Sequence, residues 1–286
     1  MNAAELLGLD AIRFIEPSFA DLTNTFYTHV LLEIPSSQGI LLIDENNIPI
    51  ALAVSGGEAW IACSFLCRDP TREAIEKIEE LEGEILQATR EEWAAAVRAY
   101  YSLEIQNSVT PALEDVPPSR LRQVEDLLRE LWDGPAGMRC LDCCCGSGIG
   151  SRALHAIGLV PLAYDNDASL LSRGFSTGRL RLNETVCIDA TRASHYLPHS
   201  GRGLVLMLGS INPYDAAMWK EILAEILELC EEALITVGTR EEAEKIQEWT
   251  APTGRSFSLR ENTRDPIYDR WVCRIGGPAD AGLSNE

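Results

Sequence analysis

Three aspartates and a glycine-rich loop are the residues of this chain whose spacing indicates ligand binding. The segment 141–148 reads Leu-Asp-Cys-Cys-Cys-Gly-Ser-Gly and follows an apolar run. Glycines at such a turn let the backbone approach a ligand and leave amide groups free to donate. The next two apolar runs also end in aspartate, at Asp165 and Asp189. Because a carboxylate can accept from both hydroxyls of a ribose or from the exocyclic amine of adenine, the pattern predicts a site for an adenosine-containing ligand.

A sheet whose strands end at one edge is needed to bring these residues together, and the sequence after residue 118 predicts one. Apolar runs there alternate with amphipathic segments. The predicted strands are 138–142, 159–164, 185–188, 203–208, 233–237, 256–260 and 271–275, and the predicted helices are 120–132, 149–157, 168–174, 215–231 and 241–249. This alternation is typical of the α/β class. We therefore predict a doubly wound, mostly parallel seven-stranded sheet whose last two strands form a hairpin.

Residues 1–110 are predicted to form a smaller N-terminal α+β domain. Short apolar runs separated by turn residues predict an antiparallel meander with strands at 29–34, 40–44, 48–54 and 59–65. A helix is expected to begin at Asp69-Pro70, and Thr89 with Glu92 resembles a capping box that begins another. The proline-containing connector 107–118 marks the boundary to a second domain, 119–277. The first domain would select a substrate, form a homodimer or dock on a larger enzyme.

The order of the motifs in residues 119–275 resembles that of the class I, Rossmann-like S-adenosylmethionine-dependent methyltransferases. The resemblance implies S-adenosylmethionine as cofactor, with the loop beside its methionine end, Asp165 on the ribose, and Asp189 with Ala190 on the adenine. Many members have glycine at the position of Cys144, where a small thiol-bearing residue also fits. The binding residues implied in this way are Asp142, Cys144, Gly146, Ser147, Gly148, Asp165, Asn166, Asp189 and Ala190.

A possible acceptor-binding motif, Asn212-Pro213-Tyr214, follows the fourth predicted strand of this domain. It resembles the Asn/Asp-Pro-Pro-Tyr motif of amino-group methyltransferases, in which the amide oxygen accepts from a planar NH2 group and the ring stacks on it. That resemblance implies Asn212 and Tyr214 as catalytic residues that align the acceptor nitrogen. The chain has only one proline here, however. Asn before Pro is also a strong turn former, so the same residues predict a turn before the helix that begins near Asp215.

The glycines and cysteines of the chain are also compatible with two other kinds of cofactor. The segment 146–151 approaches the dinucleotide fingerprint of NAD enzymes, but its third glycine position holds Ser151, and NAD leaves Asp142 and Asp189 unexplained. Cysteines at Cys-x-x-Cys or similar spacing are typical ligands of iron–sulfur clusters and zinc. The cysteines with such spacing here are Cys63, Cys67, Cys140, Cys143, Cys144 and Cys145. Since alternate residues of a strand point to opposite faces, we expect small buried thiols and no metal.

The charge of the chain disfavours some classes of binding partner. The chain has 44 acidic and 24 basic residues, a net charge of −20, which opposes association with nucleic acid and with anionic membranes. The amino terminus lacks the features of a signal peptide, and we expect a soluble, cytoplasmic protein. The predicted function is methyl transfer to an amino or amide nitrogen, or another group, of a protein side chain or small molecule. The alternative is a regulatory or assembly factor that binds S-adenosylmethionine or a nucleotide without catalysis.

Overall fold

The computed structural model describes residues 2–57, 59–81, 83–132 and 136–278, which fall into two compact units. The first unit contains Met1–Asn107 together with Leu182–Val186, and the second contains Ser108–Arg181 and Cys187–Glu286. The first unit thus includes a short segment from outside the predicted range 1–110. In the part of the chain described, no helix has the length and apolar character needed to cross a bilayer.

The first unit is built on a five-stranded mixed sheet. Its elements are α1 (Ala3–Leu6), β1 (Ile12–Phe14), α2 (Phe26–Leu32), β2 (Gly39–Ile43), β3 (Pro49–Ser55), β4 (Trp60–Ser64), α3 (Arg72–Glu80), β5 (Glu84–Gln87) and α4 (Arg90–Ser108). The strand order is β1-β4-β3-β2-β5. Strands β2, β3 and β4 form the predicted antiparallel meander, while β1 and β5 run parallel to their neighbours.

Two local predictions for this unit were wrong, and one was confirmed. Residues 29–34 were expected to form a strand, but they lie mostly in α2, which buries Thr28 and Leu31 at helical spacing. The third helix begins after Thr71, whose hydroxyl oxygen accepts from the amide of Ala74 at 3.3 Å, and not at Asp69-Pro70. The capping box of Thr89 and Glu92 is present, with reciprocal hydrogen bonds of 2.9 and 3.2 Å.

The segment Leu182–Val186 supplies backbone acceptors within the first unit. Nε of Arg98 donates to the carbonyl oxygen of Asn183 at 2.7 Å. The hydroxyl of Ser102 donates to the carbonyl oxygen of Thr185 at 2.9 Å. Both donors lie on α4 and are buried. A buried donor without an acceptor is costly, so these bonds make the segment part of the unit's internal structure.

The second unit contains the predicted α/β sheet. Its elements are α5 (Arg120–Leu131), β6 (Arg139–Cys143), α6 (Ile149–Ala156), β7 (Val160–Asp165), α7 (Ala168–Ser176), β9 (Ser200–Val205), α8 (Ala216–Leu229), β10 (Cys230–Val237), α9 (Arg240–Thr250), β11 (Arg255–Glu261) and β12 (Trp271–Pro278). The sheet also includes β8 (Thr185–Cys187), whose first two residues are grouped with the first unit. The order of the seven-stranded sheet is β11-β12-β10-β9-β6-β7-β8. Strands β6, β7, β9 and β10 pair in parallel, and β12 is antiparallel to both β10 and β11. The predicted doubly wound, mostly parallel sheet with a closing hairpin is confirmed.

The strand order places a topological switch between β6 and β9. From β6 the chain proceeds outward through β7 to β8, and it then returns to β9 on the other side of β6. Right-handed crossovers therefore put the connecting helices on both faces. On one face α5 and α6 bury Leu127 and Leu154 against Cys140 and Leu204 of the sheet. Ligands of such sheets bind at the switch, beyond the carboxyl ends of the strands.

Candidate functional site

A cavity of about 400 Å³ lies at the carboxyl edge of the sheet, beside the switch between β6 and β9. This volume falls within the range of small-molecule sites. Seven of the residues implied by the sequence resemblance line it: Cys144, Gly146, Ser147, Asp165, Asn166, Asp189 and Ala190. The structure therefore brings together residues that lie up to 46 positions apart in the chain, from Cys144 to Ala190, as the strand-end pattern predicted.

The glycine-rich loop is shaped by close approaches that exclude side chains. Gly148 precedes the first residue of α6 with a φ of 82°, and a Cβ there would lie 2.6 Å from the side chain of Leu180. A Cβ on Gly150 would lie 2.4 Å from Oδ1 of Asp142. Because the first amides of α6 have no partner within the helix, this loop presents donors and a positive helix end toward the cavity.

Asp142 lies beneath the loop and is not among the residues that line the cavity. Its carboxylate is buried, and the hydroxyl of Ser151 donates to Oδ2 at 2.6 Å. Burial raises the pKa of Asp142 to about 7. Ser151 occupies the third glycine position of the dinucleotide fingerprint, so in this chain that position anchors α6 to Asp142. Asp142 therefore positions the loop, and its contact with the methionine end of a cofactor stays a prediction.

Asp165 connects two loops at the end of β7. Its Oδ2 accepts from the amide of Gly146 at 2.8 Å, and its Oδ1 accepts from the amide of Asp167 at 2.9 Å. Burial raises the pKa of Asp165, and these amide hydrogen bonds oppose the rise. A carboxylate offers about four lone-pair sites, so each oxygen can also accept from a ligand hydroxyl. Asp165 lines the cavity and is thus fixed in place for that contact.

Asp189 and Ala190 form the far end of the cavity. Asp189 precedes a 3-10 helix, Ala190–His195, and its Oδ1 accepts from both the amide and the hydroxyl of Thr191 at 2.9 Å. Asp189 is exposed while Ala190 is buried. The carboxylate of Asp189 can accept a hydrogen bond from a purine amine. The small side chain of Ala190 leaves room for the purine ring beside it.

Cys144 is held in a conformation that few residues with a side chain adopt. Its φ is 53°, in the left-handed region that favours glycine. This explains why glycine suits the position in the family that the sequence resembles. Burial raises the pKa of the Cys144 thiol well above its usual range, so the group stays protonated. It therefore lines the cavity as a small neutral residue.

Glu114, from the connector before α5, also lines the cavity and was not predicted. Ser147 donates its hydroxyl to Glu114, and Nη2 of Arg179 donates to Oε2 of Glu114 at 2.6 Å. The hydrogen bond from Arg179 is the main reason why the pKa of Glu114 is lowered. Nothing in the local pattern of the connector distinguishes this glutamate, because its partners lie 33 and 65 residues away.

The opposite wall of the cavity is formed by the loop after β9. Met207 has a φ of 54°, and its amide donates to the hydroxyl oxygen of Thr236 at 2.7 Å. Gly209 has a φ of 106°, and a Cβ there would lie 2.5 Å from the ring of Trp219. Two left-handed residues within three positions give this loop a defined shape against the cavity.

The Asn-Pro-Tyr motif lies outside the residues that line the cavity. Oδ1 of Asn212 accepts from the amides of Tyr214 and Asp215 at 2.8 and 3.3 Å, and its Nδ2 donates to Oδ2 of Asp215 at 2.6 Å. The side chain of Tyr214 is 95% exposed. The structure thus uses Asn212 to form the turn before α8, and the role of Asn212 and Tyr214 in positioning an acceptor stays a prediction.

A second groove, of about 650 Å³, lies at the opposite, amino edge of the sheet. Its main carboxylate, Glu232, accepts from Nε1 of Trp132 at 2.9 Å and from Nε of Arg274 at 2.6 Å. The groove has no glycine-rich loop. The described residues also contain no cluster of three His, Cys, Asp or Glu side chains suited to a metal ion. The carboxyl-edge cavity is therefore the better candidate site.

The chain is similar to several solved structures. It shares 19% identity with TrmN from Thermus thermophilus, with a TM-score of 0.44 over 57% of this chain and 55% of that one, so it spans about half the length of the Thermus protein. It shares 14% identity with magnesium protoporphyrin IX methyltransferase (ChlM) from Synechocystis PCC 6803 with bound SAM, with a TM-score of 0.46 over 64% of this chain and 97% of that one. The glycopeptide N-methyltransferase MtfA, complexed with S-adenosyl-L-methionine, gives 12% identity and a TM-score of 0.45 over 55% of this chain and 94% of that one.

No protein-family model and no curated protein matches the sequence.

Proposed function

We propose that this protein is a class I S-adenosylmethionine-dependent methyltransferase that binds its cofactor in the carboxyl-edge cavity. One observation carries the proposal: Asp165 and Asp189 line the same cavity as the glycine-rich loop. In this arrangement Asp165 accepts from the ribose hydroxyls, and Asp189 with Ala190 binds the adenine. The loop that contains Gly146 then lies beside the methionine end.

The residues present fit this cofactor. The shape of the loop is fixed by the protein around it, because a Cβ at Gly148 would collide with Leu180 and a Cβ at Gly150 would collide with Asp142. When bound, S-adenosylmethionine supplies a methyl group on a positively charged sulfur, which is already activated toward a nucleophile. The protein then has to orient the acceptor and exclude water, and the apolar wall of Leu208 and Trp219 serves the second need.

The acceptor is proposed as a protein side chain or a small molecule. A net charge of −20 opposes the approach of nucleic acid phosphates. The choice of an amino or amide nitrogen was based on Asn212 and Tyr214, and these residues do not line the cavity. Because these two residues do not line the cavity, nitrogen is one acceptor atom among several. We therefore propose methyl transfer without naming the acceptor atom.

Calorimetry of the full chain with S-adenosylmethionine, S-adenosylhomocysteine and NAD tests the cofactor. We expect both sulfur compounds to bind and NAD to remain unbound. Asp165→Asn and Asp189→Asn should each weaken S-adenosylhomocysteine binding by about tenfold, the effect of one charge-assisted hydrogen bond. The matched control is Asp167→Asn, because Asp167 caps α7 outside the cavity lining and Asn caps a helix equally well. Binding of NAD alone would reject the proposal.

Transfer of a radiolabelled methyl group from S-adenosylmethionine into cell extract, followed by mass spectrometry, tests catalysis. We expect one or a few labelled species. The second candidate function is a regulatory factor that binds the cofactor without catalysis, and the position of Asn212 and Tyr214 outside the cavity lining favours it. Tight S-adenosylhomocysteine binding without any labelled product would select this second function.

A further inference from the structure

Arg120 is the one cationic side chain among the described residues that line the cavity. The other charged residues of the lining are carboxylates, namely Glu114, Asp165 and Asp189. A carboxylate ligand in this cavity would be repelled by these groups and by the excess negative charge of the chain. An anionic group bound here can accept from the amides at the start of α6, and among the described lining residues Arg120 supplies the one full positive charge.

The guanidinium of Arg120 is held rigidly at the start of α5. Its Nε lies 3.2 Å from Oδ2 of Asp269, and its Nη2 lies 3.5 Å from Oδ1. The ring of Tyr268 stacks against it, with the guanidinium carbon 4.7 Å from the ring centroid. The side chain is only 12% exposed. A preorganised guanidinium loses little conformational entropy when it binds a second anion.

Asp269 is in turn fixed by residues from other elements. It is 1% exposed, and the hydroxyl of Thr236, at the end of β10, donates to its Oδ1 at 2.6 Å. Nδ2 of Asn262 donates to its carbonyl oxygen at 2.8 Å. The same Thr236 hydroxyl accepts from the amide of Met207 in the loop after β9. One hydrogen-bonded network thus fixes both Arg120 and the wall of the cavity.

The contacts with Asp269 use one edge of the guanidinium, formed by Nε and Nη2. A guanidinium carries five N–H donors in a planar fork. The second edge, formed by Nη1 and Nη2, matches the two oxygens of another carboxylate. This geometry gives Arg120 a donor pair for a ligand while Asp269 keeps the side chain in place.

We propose that Arg120 is the anion-binding residue of the cavity and that its ligand is a carboxylate. The inference rests on the proposed function, since it concerns the same cavity. The carboxylate belongs either to the amino-acid end of S-adenosylmethionine or to the methyl acceptor, and both offer the same chemistry to the fork.

Calorimetry with two nucleosides distinguishes these sources. S-adenosylhomocysteine carries the carboxylate, and 5′-methylthioadenosine lacks the amino-acid part. If the cofactor supplies the carboxylate, Arg120→Met weakens S-adenosylhomocysteine binding by roughly tenfold to a hundredfold and leaves 5′-methylthioadenosine binding unchanged. If the acceptor supplies it, both affinities stay unchanged, and benzoate binds to the wild-type complex with S-adenosylhomocysteine but not to the variant complex. Benzamide, which lacks the charge, should bind to neither complex.

Unchanged S-adenosylhomocysteine affinity in a folded variant, together with no Arg120-dependent benzoate binding, would overturn the inference. Arg120→Met leaves Asp269 buried without its cation, so thermal unfolding must be recorded alongside. If that variant does not fold, Arg120→Met combined with Asp269→Asn removes both charges and serves the same test. Arg122→Met is the matched control, because Arg122 lies on the same helix with a side chain 89% exposed. Failure of the proposed function is distinguishable, since the wild-type protein would then bind neither nucleoside.

Discussion

Asp142 is the carboxylate beneath the candidate site whose titration burial moves into the neutral range. It is fully enclosed beneath α6, and burial raises its pKa to about 7. In the unfolded chain the pKa of an aspartate is about 3.9. Between these values the folded protein holds a proton that the unfolded chain has released. The stability that this proton provides is fully present below about pH 4 and is lost as the pH rises through about 7.

Asp142→Asn removes this titration and so tests the pKa. The free energy of unfolding of the wild-type protein, relative to the variant, should fall by up to about 1.4 kcal/mol per pH unit between about pH 4 and about pH 7. Asparagine keeps an oxygen that accepts from Ser151, so the hydrogen bond itself is retained. Urea unfolding of both proteins across this range is the measurement. Parallel pH profiles would show that Asp142 titrates normally.

The position of a residue could be predicted where it follows from the end of one strand or from one turn. It could not be predicted where it depends on a partner far away in the sequence. Asp165 and Asp189 follow apolar strands, so the sheet edge that they share could be inferred from the sequence. Arg120 and Asp269 meet across 149 positions, and no periodicity records such a pair. The role of Asn212 could not be predicted for another reason. The sequence Asn-Pro-Tyr is compatible both with an acceptor-binding loop and with a turn before a helix.

At the scale of elements, the α/β unit was predicted almost completely and the first unit only in part. Parallel strands covered on both faces are continuous apolar runs, which stand out from the amphipathic helices between them. Strand β5 was missed because it is an edge strand whose Ile85 is 61% exposed, and its residues continue the acidic character of α3. Helix α2 was mistaken for a strand because its short apolar run shows no clear period.

The turn before α8 gives a prediction at the scale of an element. Asn212→Ala removes the acceptor for two amides and should lower the free energy of unfolding by about 1 kcal/mol, as the loss of a helix cap does. S-adenosylhomocysteine affinity should stay unchanged, because Asn212 does not line the cavity. Denaturant unfolding and calorimetry on the same samples provide both values.

Tyr214→Ala is the companion variant, and its exposed side chain should change stability by less than about 0.5 kcal/mol. A large loss of methyl transfer in either variant, with the cofactor affinity intact, would support the predicted catalytic role of Asn212 and Tyr214.

At the scale of the whole molecule, the excess of carboxylates should make stability depend on salt. The net charge of −20 means that folding brings like charges together. Raising NaCl from about 0.02 M to about 0.5 M shortens the screening length several-fold and weakens this repulsion. We expect the Tm to rise by roughly 2–4 °C, which corresponds to about 1 kcal/mol for a protein of this size. KCl at equal concentration is the control, and a Tm that falls with salt would mean that favourable ion pairs outweigh the repulsion.

The discontinuity of the first unit has a consequence for synthesis. The ribosome delivers residues in chain order, so Arg98 emerges 85 positions before Asn183, whose carbonyl oxygen it binds. Ser102 likewise precedes Thr185 by 83 positions. At about 5–20 residues per second, the first unit waits roughly 4–17 s for its last segment, while most of α5 to α7 is being made. The first unit is therefore completed only when Leu182–Val186 has been synthesised. A chain that ends before Leu182 contains Met1–Asn107 but lacks the carbonyl oxygens of Asn183 and Thr185, to which Arg98 and Ser102 donate.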